Sequence, residues 1–342
     1  MALVKPRVAW VTTNRSCNLR CPWCYTKGEN FDAGKTLSFD LALKILSIIR
    51  QIGVKHLLVI GGEPTLWKHL FEFNRECREA GIKTTLVTNA LRFANDEFWF
   101  RYLQSPNDKV GPSIKAFDAP SAQRLAQLPD FESARKALTR LVAKFNCGVT
   151  FVHNSFARND LVSLARFAKS CGANRVGISP CTPSLSDGKP EITGMVPLQV
   201  IVSDVVSQYQ ELHDLMDGKL TLALKIPLCL WPRDFIEKLK ERGQLHSSCQ
   251  FQNRSGIAFG PQGELLACNS MAEFPIGKFG EDFDDGESLI SLLNSERVTR
   301  SYDHINSHPS EKCVHCPQVG FCGGGCPLMW TVYDAQASIP GW

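Results

Sequence analysis

Three cysteines lie close together near the start of the chain, at Cys17, Cys21 and Cys24. Their spacing allows one loop to place all three thiolates around a single metal centre. Three thiolates on a four-iron cluster leave one iron without a protein ligand, and a metal with an open position can do chemistry. The alternative is a structural zinc loop, but that needs a fourth ligand, and the next histidine, His56, falls inside a predicted strand.

A second group of cysteines lies near the end of the chain. Cys249, Gly263 and Cys268 follow the pattern C-x13-G-x4-C, and after a gap comes C-x2-C-x5-C-x3-C. Taken alone, this group indicates either a pair of zinc knuckles or iron–sulfur clusters. The second pattern consists of Cys313, Cys316, Cys322 and Cys326.

Composition is typical of a soluble globular protein rather than of a membrane or disordered protein. It has 342 residues, of which 44% are hydrophobic and 21% charged, with a formal net charge of +4. We find no run of basic residues typical of nucleic-acid binding, no apolar stretch long enough to span a membrane and no signal peptide. The sequence therefore predicts a cytoplasmic protein, in which 14 cysteines indicate metal sites rather than disulfides.

Alternating strand and helix patterns predict an α/β fold with a parallel sheet. Six strand–helix units correspond to a partial (β/α)6 barrel, in which chemistry collects at the carboxyl ends of the strands. The predicted strands span residues 7–12, 55–60, 84–88, 112–117, 148–153 and 174–179. The predicted helices span residues 38–51, 70–80, 95–103, 131–145, 161–169 and 198–216.

Shifts in composition predict three parts: a barrel over residues 1–190, a bridging segment over 191–245 and a small Cys-rich domain over 246–342. Little hydrophobic periodicity is visible after residue 246, so we expect this last part to depend on bound metal rather than on apolar burial. The bridging segment includes a β-rich stretch over residues 220–228.

Gly61, Gly62, Glu63 and Pro64 follow the second predicted strand. Together with the cysteine loop, this motif resembles the radical S-adenosylmethionine superfamily, and the order of elements extends the resemblance over residues 7–179. The resemblance implies a 4Fe-4S cluster whose open iron chelates the methionine end of S-adenosylmethionine, and one-electron cleavage that releases a 5'-deoxyadenosyl radical. A reductant such as flavodoxin or ferredoxin would supply the electron.

The resemblance also implies which residues contact the cofactor. Trp23 would lie on the adenine side, Gly61 and Gly62 would let the backbone approach the amino group, and Glu63 would act as an acceptor. Other polar residues at strand ends would face the ribose and the carboxylate. These residues are Thr88, Asn89, Ser113, Lys115, Asn154 and Ser155.

The C-terminal cysteines resemble the SPASM extension of this superfamily, which carries auxiliary iron–sulfur clusters. By that resemblance Cys249, Cys268 and Cys326 serve a nearer cluster, and the other three cysteines of the second pattern serve a farther one. The pattern expects one more cysteine after Cys326, and none occurs. The farther cluster would then take Asp334, an unidentified group or no fourth ligand. The nearer cluster also has only three cysteines, and Cys229 and His246 are its candidate extra ligands. Alternatively, an open site could bind substrate, or one of the two clusters could be a smaller 2Fe-2S form.

Cys181 follows the sixth predicted strand and is a candidate hydrogen-atom donor at the barrel mouth; the alternative is a packed cysteine in a Pro-rich loop. The resemblance favours an enzyme that abstracts hydrogen from a peptide or protein side chain, as in ribosomal peptide maturation. A small-molecule dehydrogenase or decarboxylase acting on a sugar or nucleoside is the alternative. A non-enzymatic iron–sulfur or zinc protein is a third hypothesis. Only 16 residues precede Cys17, so we expect the barrel, the bridging segment or a separate partner to hold the substrate.

Overall fold

The computed structural model describes residues 4–25, 33–128 and 130–342, and its strands lie between Val8 and Lys278. The strands are β1 (Val8–Thr12), β2 (His56–Ile60), β3 (Lys83–Thr88), β4 (Lys109–Pro112), β5 (Val149–His153), β6 (Val176–Pro180), β7 (Ser184–Ser186), β8 (Lys189–Glu191), β9 (Leu220–Ala223), β10 (Leu245–His246), β11 (Gly256–Phe259), β12 (Glu264–Leu266) and β13 (Pro275–Lys278).

Helices alternate with the strands through the first half of the chain. They are α1 (Phe39–Gln51), α2 (Leu70–Glu79), α3 (Asp96–Gln104), α4 (Ala119–Ala126), α5 (Phe131–Phe145), α6 (Leu161–Ser170), α7 (Leu198–Leu215), α8 (Arg233–Glu241), α9 (Gly286–Leu293), α10 (Glu296–Ile305), α11 (Val319–Cys322) and α12 (Ala335–Ser338). Short 3-10 turns lie at Pro64–Leu66, Leu91–Ala94, Leu228–Leu230, Asn269–Met271, Glu311–Cys313 and Pro327–Thr331. Among the described helices, none combines the length and the apolar character needed to cross a lipid bilayer.

In the described part of the chain, eleven strands form two sheet sections that a single bridge connects, and β7 and β8 form a separate two-stranded sheet. One section has the order β13-β12-β11-β1-β2-β3-β4 and the other has the order β10-β9-β6-β5. A parallel bridge between Ser113 and Thr150 connects the end of β4 to β5, and the Ile114 amide donates to the Thr150 carbonyl at 2.9 Å. Strands β1 to β4 are parallel, as are β5, β6 and β9. This arrangement confirms the predicted α/β fold with a partial barrel.

Helix α1 shows why the local predictions succeeded. Ser38 accepts a hydrogen bond from the Leu41 amide, which satisfies one of the otherwise unpaired N–H groups of the first turn. Ile45 and Ile49 are fully buried against the sheet at the spacing of one helix face. The capping residue and the apolar stripe, both visible in the sequence, therefore set the start and the orientation of this helix.

The strand predicted over residues 112–117 is wrong, because β4 ends at Pro112. Beyond it, the Ser113 amide donates to the Thr88 carbonyl of β3 and the Ile114 amide donates to the Thr150 carbonyl of β5, so the chain passes from β3 to β5. A helix that the prediction missed follows. Asp118 and Ser121 cap α4 reciprocally, each side chain accepting from the backbone of the other.

The expectation of a metal-dependent C-terminal part with little apolar burial is also wrong for its central section. Helices α9 and α10 bury Leu289, Leu293, Val298 and Tyr302 almost completely. These helices are short, so their apolar periodicity spans only two or three turns and is weak in the sequence. Ordinary hydrophobic packing therefore stabilises much of the region between the two C-terminal cysteine patterns.

Strand pairing crosses both predicted boundaries between the three parts. Strand β9 of the bridging segment pairs with β6, and β11 of the C-terminal part pairs in parallel with β1 over Val8–Val11 and Gly256–Phe259. Ala9 and Val11 of β1 are completely buried. The C-terminal part thus covers an edge of the barrel sheet that would otherwise present unpaired backbone groups.

We predict that a chain cut after residue 245 will not fold as a stable monomer, because it loses β11 and exposes the edge of β1. Size-exclusion chromatography and thermal unfolding by circular dichroism measure this. The matched control is the full chain with Cys313→Ala and Cys316→Ala, which retains β11 and should remain monomeric. A monomeric fragment with a cooperative melt near that of the full chain would show that the barrel is independent of the C-terminal part.

Candidate cofactor and cluster sites

The three N-terminal cysteines lie in the loop that follows β1, at the carboxyl edge of the sheet. Cys21 is buried, whereas Cys17 and Cys24 are partly exposed. The Leu19 amide donates to the Cys17 sulfur at 3.4 Å, and the side-chain amide of Asn89 donates to the same sulfur at 3.8 Å. Such N–H donors stabilise negative charge on sulfur, so this loop suits a thiolate that binds a metal.

Burial makes a free thiolate costly at this loop. It raises the pKa of Cys17 above the ordinary value and raises the pKa of Cys21 to about 11. The neighbouring thiolates raise the pKa of Cys21 further, while the ammonium group of Lys115 lowers it. A bound cationic centre that keeps the sulfurs ionised would offset this cost.

The donor set fits an iron–sulfur cluster. Within residues 4–25, 33–128 and 130–342, no three Cys, His, Asp or Glu side chains stand at the distances that one metal ion requires. In a four-iron cluster each thiolate binds a different iron, so the sulfurs lie farther apart than those around one zinc ion. Three soft thiolates with N–H groups directed at sulfur are suitable donors for such a cluster.

The Gly61–Gly62 pair packs directly against the chain that leads into the cysteine loop. A Cβ atom on Gly62 would lie 2.3 Å from the Ser16 carbonyl oxygen and 2.4 Å from that of Arg15. A Cβ on Gly61 would lie 2.5 Å from the Asn14 side-chain oxygen. These contacts are far too close for any side chain, so both glycines are needed for the cysteine loop to reach its position.

Hydrogen bonds connect the same two segments. The Gly62 amide donates to the Asn14 carbonyl at 2.7 Å, and the Glu63 amide donates to the Ser16 carbonyl at 2.8 Å. The buried Asn14 side chain donates to the Ser16 and Glu63 carbonyls at 2.9 and 3.1 Å. Sequence reasoning missed Asn14, whose one signal is its position two residues after β1.

The Glu63 carboxylate is buried and holds the ends of two neighbouring strands together. It accepts from the Thr88 hydroxyl at 2.6 Å, the Asn89 amide at 2.7 Å, and the Thr65 hydroxyl and amide at 2.7 and 3.1 Å. Burial raises the pKa of Glu63, and these hydrogen bonds oppose the rise. They occupy about as many acceptor positions as a carboxylate offers. Its geometry is therefore that of a residue that positions Thr88 and Asn89.

The next strand end adds a cation to this edge. The Lys115 ammonium donates to the Ser113 hydroxyl at 2.6 Å, and it lies near enough to Cys17 and Cys21 to lower the pKa of both thiols. The structure thus brings Ser113 and Lys115 close to the cysteine loop.

The second half of the barrel reaches the loop from the other side. A Cβ atom on Gly194 would lie 2.3 Å from the Trp23 Cβ, and the Ser155 amide donates to the Gly194 carbonyl at 2.9 Å. The Trp23 and Phe156 rings stand 6.0 Å apart. The buried Asn154 side chain accepts from the Phe156 amide at 3.0 Å, so it shapes this turn.

Cys181 is buried just after β6, and its amide donates to the His153 carbonyl at 2.8 Å. Burial raises the pKa of its thiol to about 11. The Lys225 ammonium lowers this pKa, whereas a Cys24 thiolate raises it, so Cys181 lies near both groups. At neutral pH the thiol therefore keeps its proton.

Cys268 and Cys326 lie near Lys225, and Cys249 lies near both of these cysteines. Burial raises the pKa of Cys326 and raises that of Cys268 to about 12, and a neighbouring Cys249 thiolate raises both. The Lys225 ammonium lowers the pKa of both thiols. The structure thus brings together the three cysteines predicted for the nearer cluster.

The three cysteines predicted for the farther cluster line one cavity, and Cys229 lines it with them. These residues are Cys229, Cys313, Cys316 and Cys322. The sequence predicts Cys229 as a candidate extra ligand of the nearer cluster instead. Its position in this cavity is a long-range contact that no local pattern indicates.

The two other candidate ligands have different positions. His246 is exposed in β10. Asp334 caps α12, where its carboxylate accepts from the Gln336 amide at 2.8 Å and from the Ala337 amide at 3.3 Å. The roles predicted for both residues as cluster ligands stay predictions without a supporting contact.

We predict that Gly62→Ala will displace the cysteine loop, because its Cβ overlaps two carbonyl oxygens. The overlap should lower the free energy of unfolding by about 1–3 kcal/mol. It should also remove about four irons per chain after anaerobic reconstitution. Chemical denaturation and iron and sulfide analysis measure the two effects.

Gly111→Ala is the matched control, since the nearest atom to its Cβ would be the Leu86 carbonyl oxygen at 3.9 Å. It should leave stability and iron content unchanged. Equal iron content in both variants would refute the role given to the Gly62 contact.

Comparison with known proteins extends these observations. The Radical SAM superfamily model matches residues 11–184, just over half of the chain. The PqqA peptide cyclase of Methylobacterium nodulans is 23% identical over 329 residues, which cover 95% of this chain and 82% of the relative.

Two solved structures share the fold over almost the whole chain. Streptococcus suis SuiB bound to its precursor peptide SuiA has a TM-score of 0.70 at 17% identity, covering 98% of this chain and 76% of SuiB. The anSMEcpe structure with bound AdoMet and the Kp18Cys peptide has a TM-score of 0.68 at 17% identity, covering 97% of this chain and 91% of that one. The chain therefore belongs to the Radical SAM superfamily and is an enzyme that uses S-adenosylmethionine and a 4Fe-4S cluster.

Proposed function

We propose that this enzyme modifies a side chain of a peptide or protein by taking a hydrogen atom from one of its carbons. Similarity to a peptide cyclase over 95% of the chain carries the proposal. That similarity extends well beyond residue 184, into the part that holds the C-terminal cysteines. Two enzymes that share the fold over nearly the whole chain were solved with peptides bound, which supports the same substrate class.

In this proposal the thiolates of Cys17, Cys21 and Cys24 hold the 4Fe-4S cluster that binds S-adenosylmethionine. The bound cluster and S-adenosylmethionine together supply a carbon radical strong enough to take hydrogen from an unactivated carbon. Trp23 would cover the adenine ring, and Lys115 would offset negative charge close to the thiolates. The backbone of Gly61 and Gly62 and the side chains at the strand ends would orient the cofactor beside the loop. Those side chains belong to Glu63, Thr88, Asn89, Ser113, Asn154 and Ser155.

The surroundings of the loop would exclude water from the reacting carbon. Cys21, Glu63, Thr88 and Asn154 are each at least nine-tenths buried. A low-dielectric site limits side reactions of a reactive intermediate, and it also strengthens the interactions that hold the cofactor.

We infer that the substrate lies between the N-terminal loop and the nearer C-terminal cysteine set. Cys181 lies near both groups, since the pKa of its thiol responds to Cys24 and to the Lys225 ammonium. Lys225 in turn faces Cys268 and Cys326. A peptide side chain in this gap would meet the radical centre, a protonated thiol and a cation.

The substrate class can be tested with deuterium. Reconstituted enzyme, S-adenosylmethionine and dithionite are incubated with extract from host cells grown in deuterated medium, and 5'-deoxyadenosine is analysed by mass spectrometry. We expect deuterium in 5'-deoxyadenosine, because the abstracted atom comes from a labelled substrate carbon, and we expect prior protease digestion of the extract to remove it.

The matched control is the triple variant Cys17→Ala, Cys21→Ala and Cys24→Ala, which should form no 5'-deoxyadenosine. Deuterium transfer that survives protease and depends on the nucleoside or sugar fraction would replace the peptide proposal with the small-molecule alternative. Absence of 5'-deoxyadenosine under every condition would refute the proposed reaction.

We propose that Cys181 supplies a hydrogen atom to the substrate radical, since its buried thiol stays protonated beside Cys24. The thiyl radical left behind would be reduced by an electron from the added reductant and a proton from solvent. Cys181→Ser should still form 5'-deoxyadenosine within a few-fold of the parent rate. A product made in D2O should contain solvent deuterium with the parent enzyme and lack it with Cys181→Ser.

The control for this test is Cys147→Ser, a change at another buried thiol that lies outside the site. It should give the same labelled product as the parent enzyme. Equal deuterium in the products of parent and Cys181→Ser would show that Cys181 is only a packed cysteine.

A further inference from the structure

Cys229 lies in the short turn Leu228–Leu230, in the bridging segment between β9 and α8. It lines one cavity together with Cys313, Cys316 and Cys322, which come from the last part of the chain. Four thiols from two distant segments therefore surround a single cavity. Four thiolates are also the complete ligand set of a closed iron–sulfur cluster.

Backbone contacts hold the segment that carries Cys229 against the segment that carries Cys322. The Leu228 amide donates to the Cys322 sulfur at 3.3 Å, and the Cys326 amide donates to the Lys225 carbonyl at 2.8 Å. Gly325 has a positive φ of 78°, and a Cβ at its position would lie 2.9 Å from the Pro227 Cδ. The turn that carries Cys229 thus packs directly against the segment from Cys322 to Cys326.

Other groups around the cavity suit an anionic cluster. Lys312 lines the cavity, and its ammonium is held by the Ile339 carbonyl at 2.8 Å. The Lys240 ammonium lies 5.7 Å from the Trp342 ring centroid, and Trp342 also lines the cavity. Because four thiolates outweigh the positive charge of the iron–sulfide core, cations near them reduce the cost of burying the cluster.

The alternatives for a fourth ligand have weaker positions. Asp334 uses its carboxylate to cap α12 and does not line the cavity, and His246 is exposed. No cysteine of the nearer set lines this cavity, whereas Cys229 lines it and its thiol lies near Cys322 and Cys313.

We propose that Cys229, Cys313, Cys316 and Cys322 are the four thiolate ligands of one iron–sulfur cluster. The bridging segment then supplies the fourth ligand of this cluster. Each thiol releases its proton when it binds iron. The assignment is independent of the substrate and of the radical reaction.

The test uses the full chain with Cys17→Ala, Cys21→Ala and Cys24→Ala, which removes the N-terminal cluster. After anaerobic reconstitution with iron and sulfide, metal content and the electron paramagnetic resonance of the reduced protein are measured. Cys229→Ala in this background should lose about four irons and four sulfides per chain. Cys316→Ala should lose the same amount, and the double variant should lose no more than either single variant.

Two matched controls should keep the full iron content: Cys171→Ala, which removes a buried cysteine elsewhere, and Asp334→Asn, which removes the competing carboxylate. Full iron content in Cys229→Ala would overturn the proposal, and so would a double variant that loses twice as much as the single ones. Stoichiometric zinc in place of iron would also overturn it.

A measurement on the unsubstituted protein covers the case in which Cys229→Ala fails to fold. Loaded protein is alkylated, digested and analysed by mass spectrometry before and after iron chelation. Cys229 should be protected together with Cys313, Cys316 and Cys322, and all four should become reactive after chelation. Alkylation of Cys229 in the loaded protein while the other three stay protected would refute the assignment.

Discussion

The close contact between residues 14–16 and the Gly61–Gly62 pair is the constraint on which the rest of the site depends. Both segments leave neighbouring parallel strands at the same edge of the sheet, and parallel pairing brings strands within about 4.8 Å of each other. At that separation two irregular chains can pass only if one has no side chains, and their backbone groups must then satisfy each other. The Gly62 and Glu63 amides do this by donating to the carbonyls of Asn14 and Ser16. Backbone contacts between residues 14–16 and 61–63 therefore fix the position of the cysteine loop, and the side chains of the loop itself do not.

Electrostatics explains why lysines accompany the cysteines. Burial of thiols in an apolar protein is inexpensive, but burial of thiolates is not, so a site of this kind needs either bound metal or nearby cations. Lys115 lies beside the N-terminal set and Lys225 beside the nearer C-terminal set, and Lys312 lines the cavity of the farther set. Each lysine comes from a different element, so this distribution cannot be read from a local motif. The lysines lower the cost of an anionic cluster before any substrate is present.

Local signals in the sequence predicted the parts of the fold that local chemistry determines. Ser38 and the apolar stripe of α1 were sufficient for that helix, and alternating strand and helix patterns were sufficient for the partial barrel. The strand predicted over 112–117 failed because Ser113 pairs with Thr88 and Ile114 with Thr150, which are tertiary choices. The role of Asn14 and the position of Cys229 beside the farther set were missed for the same reason. Their partners lie 49 and up to about 90 residues away along the chain, and spacing rules describe only neighbours.

The parallel pairing of β11 with β1 means that the polypeptide itself positions the C-terminal region relative to the barrel. If clusters alone organised this region, its position relative to the barrel would follow from the bound metal. Strand β11 instead continues the barrel sheet, and α9 and α10 bury Leu289, Leu293 and Val298 without any cysteine. Apolar burial and sheet pairing therefore set the frame, and the thiols occupy loops that this frame brings together. Metal binding then adds stability to a geometry that the polypeptide has largely established, because ligands already close together lose less conformational entropy on binding.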